Sequence, residues 1–163
     1  GLCAGYQMLG QLVADPQGIE GAAGTTPGLG LLDVETTLSD RKRLTETAGT
    51  ERTTQAAVHG YEMHIGRTSG PDTDRPMLDL GGRPDGAVSP DGRIMGCYLH
   101  GLFGADPFRR AFLDRIRTGA VAVEAYETRV ERTLDDLASH LERHVEMERL
   151  LAVAGLREAT ATR

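Results

Sequence analysis

Residues 1–10 read "GLCAGYQMLG", and how Cys3 in that run is understood decides how the rest of the chain is read. A cysteine between small residues, directly ahead of a helix-like segment, fits a sharp turn from a strand into a helix. Small neighbours open the sulfur to a substrate. The new helix aims its first N–H groups at it, which suits a thiolate, and the N–H after the cysteine can serve an oxyanion. The other reading of the same residues is a small buried hydrophobe in a glycine-rich turn, and cysteine statistics alone leave the two level. Met8, Leu9, Leu12 and Val13 fall at helical spacing, so the expected helix runs on to "DPQG" at 15–18.

Working outward, "IEGAAGTTPGLG" (19–30) reads as connection and "LGLLDVETTLS" (29–39) as a buried strand. "RKRLTET" (41–47) continues as a strand, "AGTERTTQ" (48–55) reads as a turn, and "AVHGYEMHIGRT" (57–68) is a strand interrupted at Gly60. After the loop "SGPDTDRP" (69–76), three short strands are expected in "PMLDL", "DGAVS" and "RIMGCYLH", the last two separated by the turn "PDG" (90–92). "ADPFRRAFLDRIR" (105–117) then turns helical, with Asp106 a candidate cap and Pro107 in the first turn. Val130, Leu134, Leu137, Leu141, Val145 and Leu151 trace one apolar stripe of a longer helix. The order is helix, strands, helices: one α/β domain over 1–155 and a frayed tail at 156–163, with further strands expected ahead of Gly1.

The 163 residues are enough to bury a core, and no apolar run approaches the ~18 residues of a membrane span. A formal net charge of -6 with scattered arginines offers no basic stripe, which argues against a nucleic acid partner. The two cysteines, Cys3 and Cys97, form neither a disulfide framework nor a zinc spacing, so a reducing cytoplasm is the simpler setting. Neither a membrane nor a metal is expected.

A thiolate nucleophile needs a proton shuttle. His100 closes the run "GCYLHGLF" at a strand end, where open α/β sheets place ligands, and stands first; His64 in "YEMHIG" stands second, with His59 on the same strand. His140 and His144 have the i, i+4 spacing of a helical metal pair, but a third ligand is not evident, and a solvated helix face is the expectation.

"GLCAGYQMLG" resembles the GxCxGxQ nucleophile motif of class I glutamine amidotransferases, and "GCYLHGLF" resembles their histidine strand. More narrowly, "DPQGIEG", "GLGLLDVETTL", "GYEMHIGRT", "DGAVSPDGRIMGCYLHGLF" and "FRRAFL" stand in the order found in the cobyric acid synthase family. That resemblance, from Gly1 to about Leu151, implies a flavodoxin-like open sheet, incomplete at its N-terminus, with C-terminal helices. It implies that Cys3 attacks the side-chain amide of L-glutamine with His100 as acid and base, that the Ala4 N–H is one oxyanion donor with Gly5 keeping the approach open, and that Gln7 helps hold the substrate. In the common triad a glutamate follows the histidine by two residues, but here that position is Leu102. Glu62 is the candidate to orient the histidine instead, with His64 beside it. By the same resemblance, ammonia passes to an N-terminal synthetase domain that uses ATP and Mg2+ to amidate carboxylates of a corrinoid, adenosylcobyrinic acid a,c-diamide. This chain has no ATP loop of its own: its only lysine, Lys42, lies outside any glycine loop. The chain thus looks like a fragment, poorly active alone. The alternatives are the amidotransferase subunit of a cell-wall ligase and an inactive docking module.

Overall fold

The computed structural model describes residues 1–117, 119 and 124–156. The chain divides into two compact units, Gly1–Ala122 and Val123–Arg163, where the sequence suggests one domain to residue 155. The expected frayed tail lies, but for Leu156, outside the described residues.

The first unit opens with α1 (Ala4–Leu9), which stops four residues short of Val13, the last apolar position of the expected helix. Gly10 leaves the helix in an extended conformation, and Leu12 and Val13 enter β1 (Leu12–Asp15). Their spacing fits a helical stripe, but pairing on both sides of β1 overrides it: antiparallel to β2 (Gly24–Pro27) and parallel to β3 (Glu35–Glu51). β2 sits inside the stretch expected to be plain connection.

β3 and β4 (Ala57–Ser69) form a long antiparallel hairpin, with a register irregularity between Thr37 and Lys42. The strand expected to end near residue 47 runs on to Glu51. The buried Glu51 carboxylate tightens the turn by accepting from the N–H groups of Thr53 and Thr54 and from the Thr54 hydroxyl. β5 (Leu78–Leu80) pairs with the far end of β3 and with β6 (Arg83–Asp85), while β7 (Ala87–Val88) and β8 (Met95–Gly96) make a small separate ladder. β9 (Leu99–His100) closes against β4. The main sheet therefore runs β2–β1–β3–β4–β9, mostly antiparallel within this stretch. α2 (Asp106–Ile116) follows, with Ala105 rather than Asp106 at its N-cap; Asp106 pairs instead with Arg109, one turn along.

Two buried clusters hold the unit together. Val58, Leu78, Leu80, Cys97, Leu99, Leu102 and Phe108 lie in one; Tyr6, Leu32, Val34, Ala87 and Tyr98 make the other. Full burial of a leucine such as Leu78 or Leu99 contributes about 1.5–3 kcal/mol. A bend at Tyr98 lets consecutive residues serve different clusters, Cys97 and Leu99 the first and Tyr98 the second.

The second unit contains α3 (Tyr126–His144) and α4 (Met147–Val153). The expected single stripe is broken at Val145, which is extended and separates the two helices. The chain as a whole is α/β, with helices toward its C-terminus. No helix among the described residues is long and apolar enough to cross a membrane.

Candidate active site

Cys3 is the N-cap of α1 and holds φ 52°, ψ -119°, a backbone conformation that residues with side chains rarely adopt. Such strain costs about 1–3 kcal/mol and persists only where the surroundings enforce it. The surroundings here are explicit. The Cys3 N–H donates to the Cys97 carbonyl at 2.9 Å, Cys97 donates to Gly1 at 3.1 Å, and Leu2 bridges Cys97 in parallel. On the helix side, the N–H groups of Tyr6 and Gln7 close onto the Cys3 carbonyl at 2.9 and 3.1 Å. The result is a tight elbow that presents a half-buried sulfur, whose thiol donates to the Met63 carbonyl of β4 at 3.5 Å.

His100 ends β9 directly opposite Tyr61 of β4, and Gly101 then turns the chain away at φ 81°. The imidazole lies flat against the Tyr61 ring, with centroids 5.0 Å apart and planes 5° from parallel. Its Nε2 is buried without a hydrogen-bond partner. Cys3 and His100 are thus both seated on one short run of β4, Tyr61–Met63.

Glu62 does not meet the expectation that it orients His100. In the ladder Tyr61 pairs with His100 and Glu62 with Leu99, and successive side chains of a strand point to opposite faces. Glu62 therefore faces away from His100. It is buried, and its Oε2 accepts from Arg43 at 3.0 Å and from Arg83 at 2.5 Å. His64 shares that other face: its Nε2 is 3.9 Å from Glu62 Oε1 and its ring stacks on Tyr98 at 3.8 Å. Burial lowers the His64 pKa, against a smaller upward pull from Glu62. Both residues line a cavity of about 510 Å³ with Arg67 and Asp85. Replacing Glu62 by Gln should lower stability by about 1–2 kcal/mol, through the lost ion pairs, while leaving glutamine turnover within about threefold. A thermal melt beside a glutaminase assay checks both halves.

Gln7 is buried, and its amide nitrogen donates to the Ile65 carbonyl at 3.2 Å and the Tyr98 hydroxyl at 3.3 Å. It ties α1 to β4, and its nitrogen is already spent on internal acceptors. Ala4 and Gly5 open α1, and Ala4 joins Gln7, Met8, Val13 and Leu38 in lining a second cavity of about 510 Å³. Cys97 lies in the core with its thiol pushed up to about 12, chiefly by burial. His59 lies on β4 opposite Ala48. Lys42 sits within β3 opposite Ile65, in a ladder. His140 and His144 stand one turn apart on α3, ring centroids 4.4 Å apart; among the described residues no cluster of three metal-ligating side chains includes them.

Sequence reading misses Tyr98, whose hydroxyl joins Gln7 and Thr68, and the arginines that neutralise Glu62. Arg43 and Glu62 are far apart in sequence and meet only through the β3–β4 register, which no local pattern encodes.

A strained cysteine at the start of a helix, with a histidine at the end of a nearby strand of an α/β sheet, is an arrangement that suits a thiol nucleophile and its base. The chain belongs to the CobB/CobQ-like glutamine amidotransferase domain family, which matches residues 1–108. It is 59% identical to a cobyric acid synthase of Cereibacter sphaeroides over 155 residues, covering 94% of this chain and 32% of that protein. It is 55% identical over 154 residues to one from Bradyrhizobium diazoefficiens, with 94% and 32% covered, and 51% identical over 154 residues to one from Hyphomonas neptunium, with 94% and 31% covered. The chain spans about a third of the length of these relatives.

Proposed function

We propose that this chain is the glutaminase part of a cytoplasmic cobyric acid synthase, and that Cys3 is its nucleophile. The observation that carries the reading is the strained backbone of Cys3, held by Cys97, three residues ahead of His100 in the same run of chain. A merely structural cysteine gains nothing from such a conformation, whereas a nucleophile needs its sulfur lifted clear of the backbone.

Glutamine enters beside the elbow, and the cavity lined by Ala4 and Gln7 is its proposed seat. His100 takes the Cys3 proton, and the sulfur attacks the side-chain amide carbon, with the Ala4 N–H one donor to the developing oxyanion and Gly5 keeping the approach open. His100 then gives its proton to the amide nitrogen, which leaves as ammonia, and a γ-glutamyl thioester remains. Water, deprotonated by His100, attacks the thioester; glutamate departs and the thiol is restored. The ammonia would pass to a synthetase region of the longer protein, which uses ATP and Mg2+ to amidate peripheral carboxylates of adenosylcobyrinic acid a,c-diamide. The cobyric acid synthase relatives support this assignment, and the pairing of Lys42 within the β3–β4 ladder supports seating the ATP chemistry in another part of the longer protein.

A diazoketone analogue of glutamine tests the nucleophile in the full protein that carries this domain. Intact mass should show one adduct, peptide mapping should place it on Cys3, and Cys3→Ala should show none. Cys97 should stay unmodified, being buried with its thiol pushed up to about 12. An adduct at Cys97, or an unlabelled Cys3, defeats the reading.

A further inference from the structure

We infer that Tyr61 is the positioning residue for His100, its ring taking the place of the carboxylate that orients the histidine in a triad. The inference rests on the glutaminase reading above. A catalytic imidazole must keep one ring plane while it moves a proton in both directions, and a hydrogen bond to a carboxylate is the usual restraint. None of the nearby acids supplies it here. The residue two beyond His100 is Leu102, buried in the core, and Glu62 faces the opposite side of β4, held by two arginines. His100 Nε2 makes no hydrogen bond.

What touches the imidazole is Tyr61. The two residues are direct cross-strand partners, and their rings are 5° from parallel with centroids 5.0 Å apart, within the range of favourable offset stacking. A flat aromatic face fixes the plane of a ring laid on it while leaving both nitrogens free at the edge. It also favours the imidazolium that forms when His100 holds the Cys3 proton, because the ring's quadrupole attracts a cation above its face. The phenol hydroxyl has no part in this. Tyr61 is 42% exposed and outside both core clusters, so its replacement does not open a core cavity.

The test compares Tyr61→Phe, which keeps the ring, with Tyr61→Leu and Tyr61→Val, which do not; valine also suits a strand. In the full protein, Tyr61→Phe should retain glutaminase kcat within about twofold. Leu and Val should each lose about tenfold in kcat, with KM for glutamine and the melting temperature nearly unchanged. Recovery by Phe alone, and an effect on kcat rather than KM, are not what a structural role would give. Wild-type kcat in the Leu and Val variants, or equal loss in Phe and Leu, overturns the inference. Cys3→Ala, run alongside, separates the two readings: an inactive Cys3→Ala with a fully active Tyr61→Leu defeats only the role of Tyr61. A Cys3→Ala variant that still hydrolyses glutamine defeats the glutaminase reading and, with it, the inference.

Discussion

Replacing His100 by Ala should reduce glutamine hydrolysis about 10³-fold in kcat while changing KM for glutamine by no more than about threefold. The magnitude follows from the number of proton transfers proposed for His100. Without it, the Cys3 proton must leave to water, the amide nitrogen must depart without a positioned acid, and the thioester must wait for unassisted water. Binding is spared because His100 ends its strand beside the elbow, outside the residues lining the proposed glutamine cavity. The melting temperature should move little, since His100 belongs to neither buried cluster. Steady-state glutaminase kinetics on the purified full protein decide the matter. Turnover within tenfold of wild type would remove His100 from the mechanism.

Gly60→Ala should damage fold and chemistry together. A methyl group on Gly60 would lie 1.8 Å from the His100 carbonyl oxygen and 3.0 Å from its carbon. Both are backbone atoms, so no rotamer change relieves the clash; β9 must move away from β4. Overpacking of this kind costs about 1–3 kcal/mol, or several degrees in melting temperature for a domain of this size. The same displacement carries His100 off its seat on Tyr61, and a shift near 1 Å in a reacting group can cost about 10² in rate. Gly21→Ala is the control for stability: a methyl there meets nothing within 4 Å, so the melting temperature should stay close to wild type. If Gly60→Ala melts like Gly21→Ala and turns over like wild type, the close approach of β9 to β4 is not what seats the histidine.

The two residues proposed to react stand out in the sequence because each sits in a short local string: Cys3 among small residues ahead of a helix, His100 at a strand end before Gly101. The Pro107 helix start and the "PDG" turn were readable for the same reason. What could not be read depends on partners distant in sequence. Leu12 and Val13 match a helical stripe, and only pairing to β2 and β3 makes them a strand. The Thr-rich run 48–55 resembles a turn throughout, yet Ala48–Glu51 pairs with β4 and β5. The expected role of Glu62 fails on the finest scale of all. A shift of one residue along a strand reverses the face, so a glutamate beside Tyr61 in sequence is turned away from what Tyr61 touches. Likewise Gln7, plausible as a substrate contact from its motif, has its nitrogen committed to Ile65 and Tyr98.

The four residues from Cys97 to His100 do two jobs at once: the Cys97 carbonyl anchors the elbow that holds Cys3, and three positions later the same run presents the imidazole. The proposed nucleophile and base are therefore mounted on one bracket, not on two elements that must be brought into line. Their placement is in this sense a local property of the chain, set by these four residues and the elbow bonded to them.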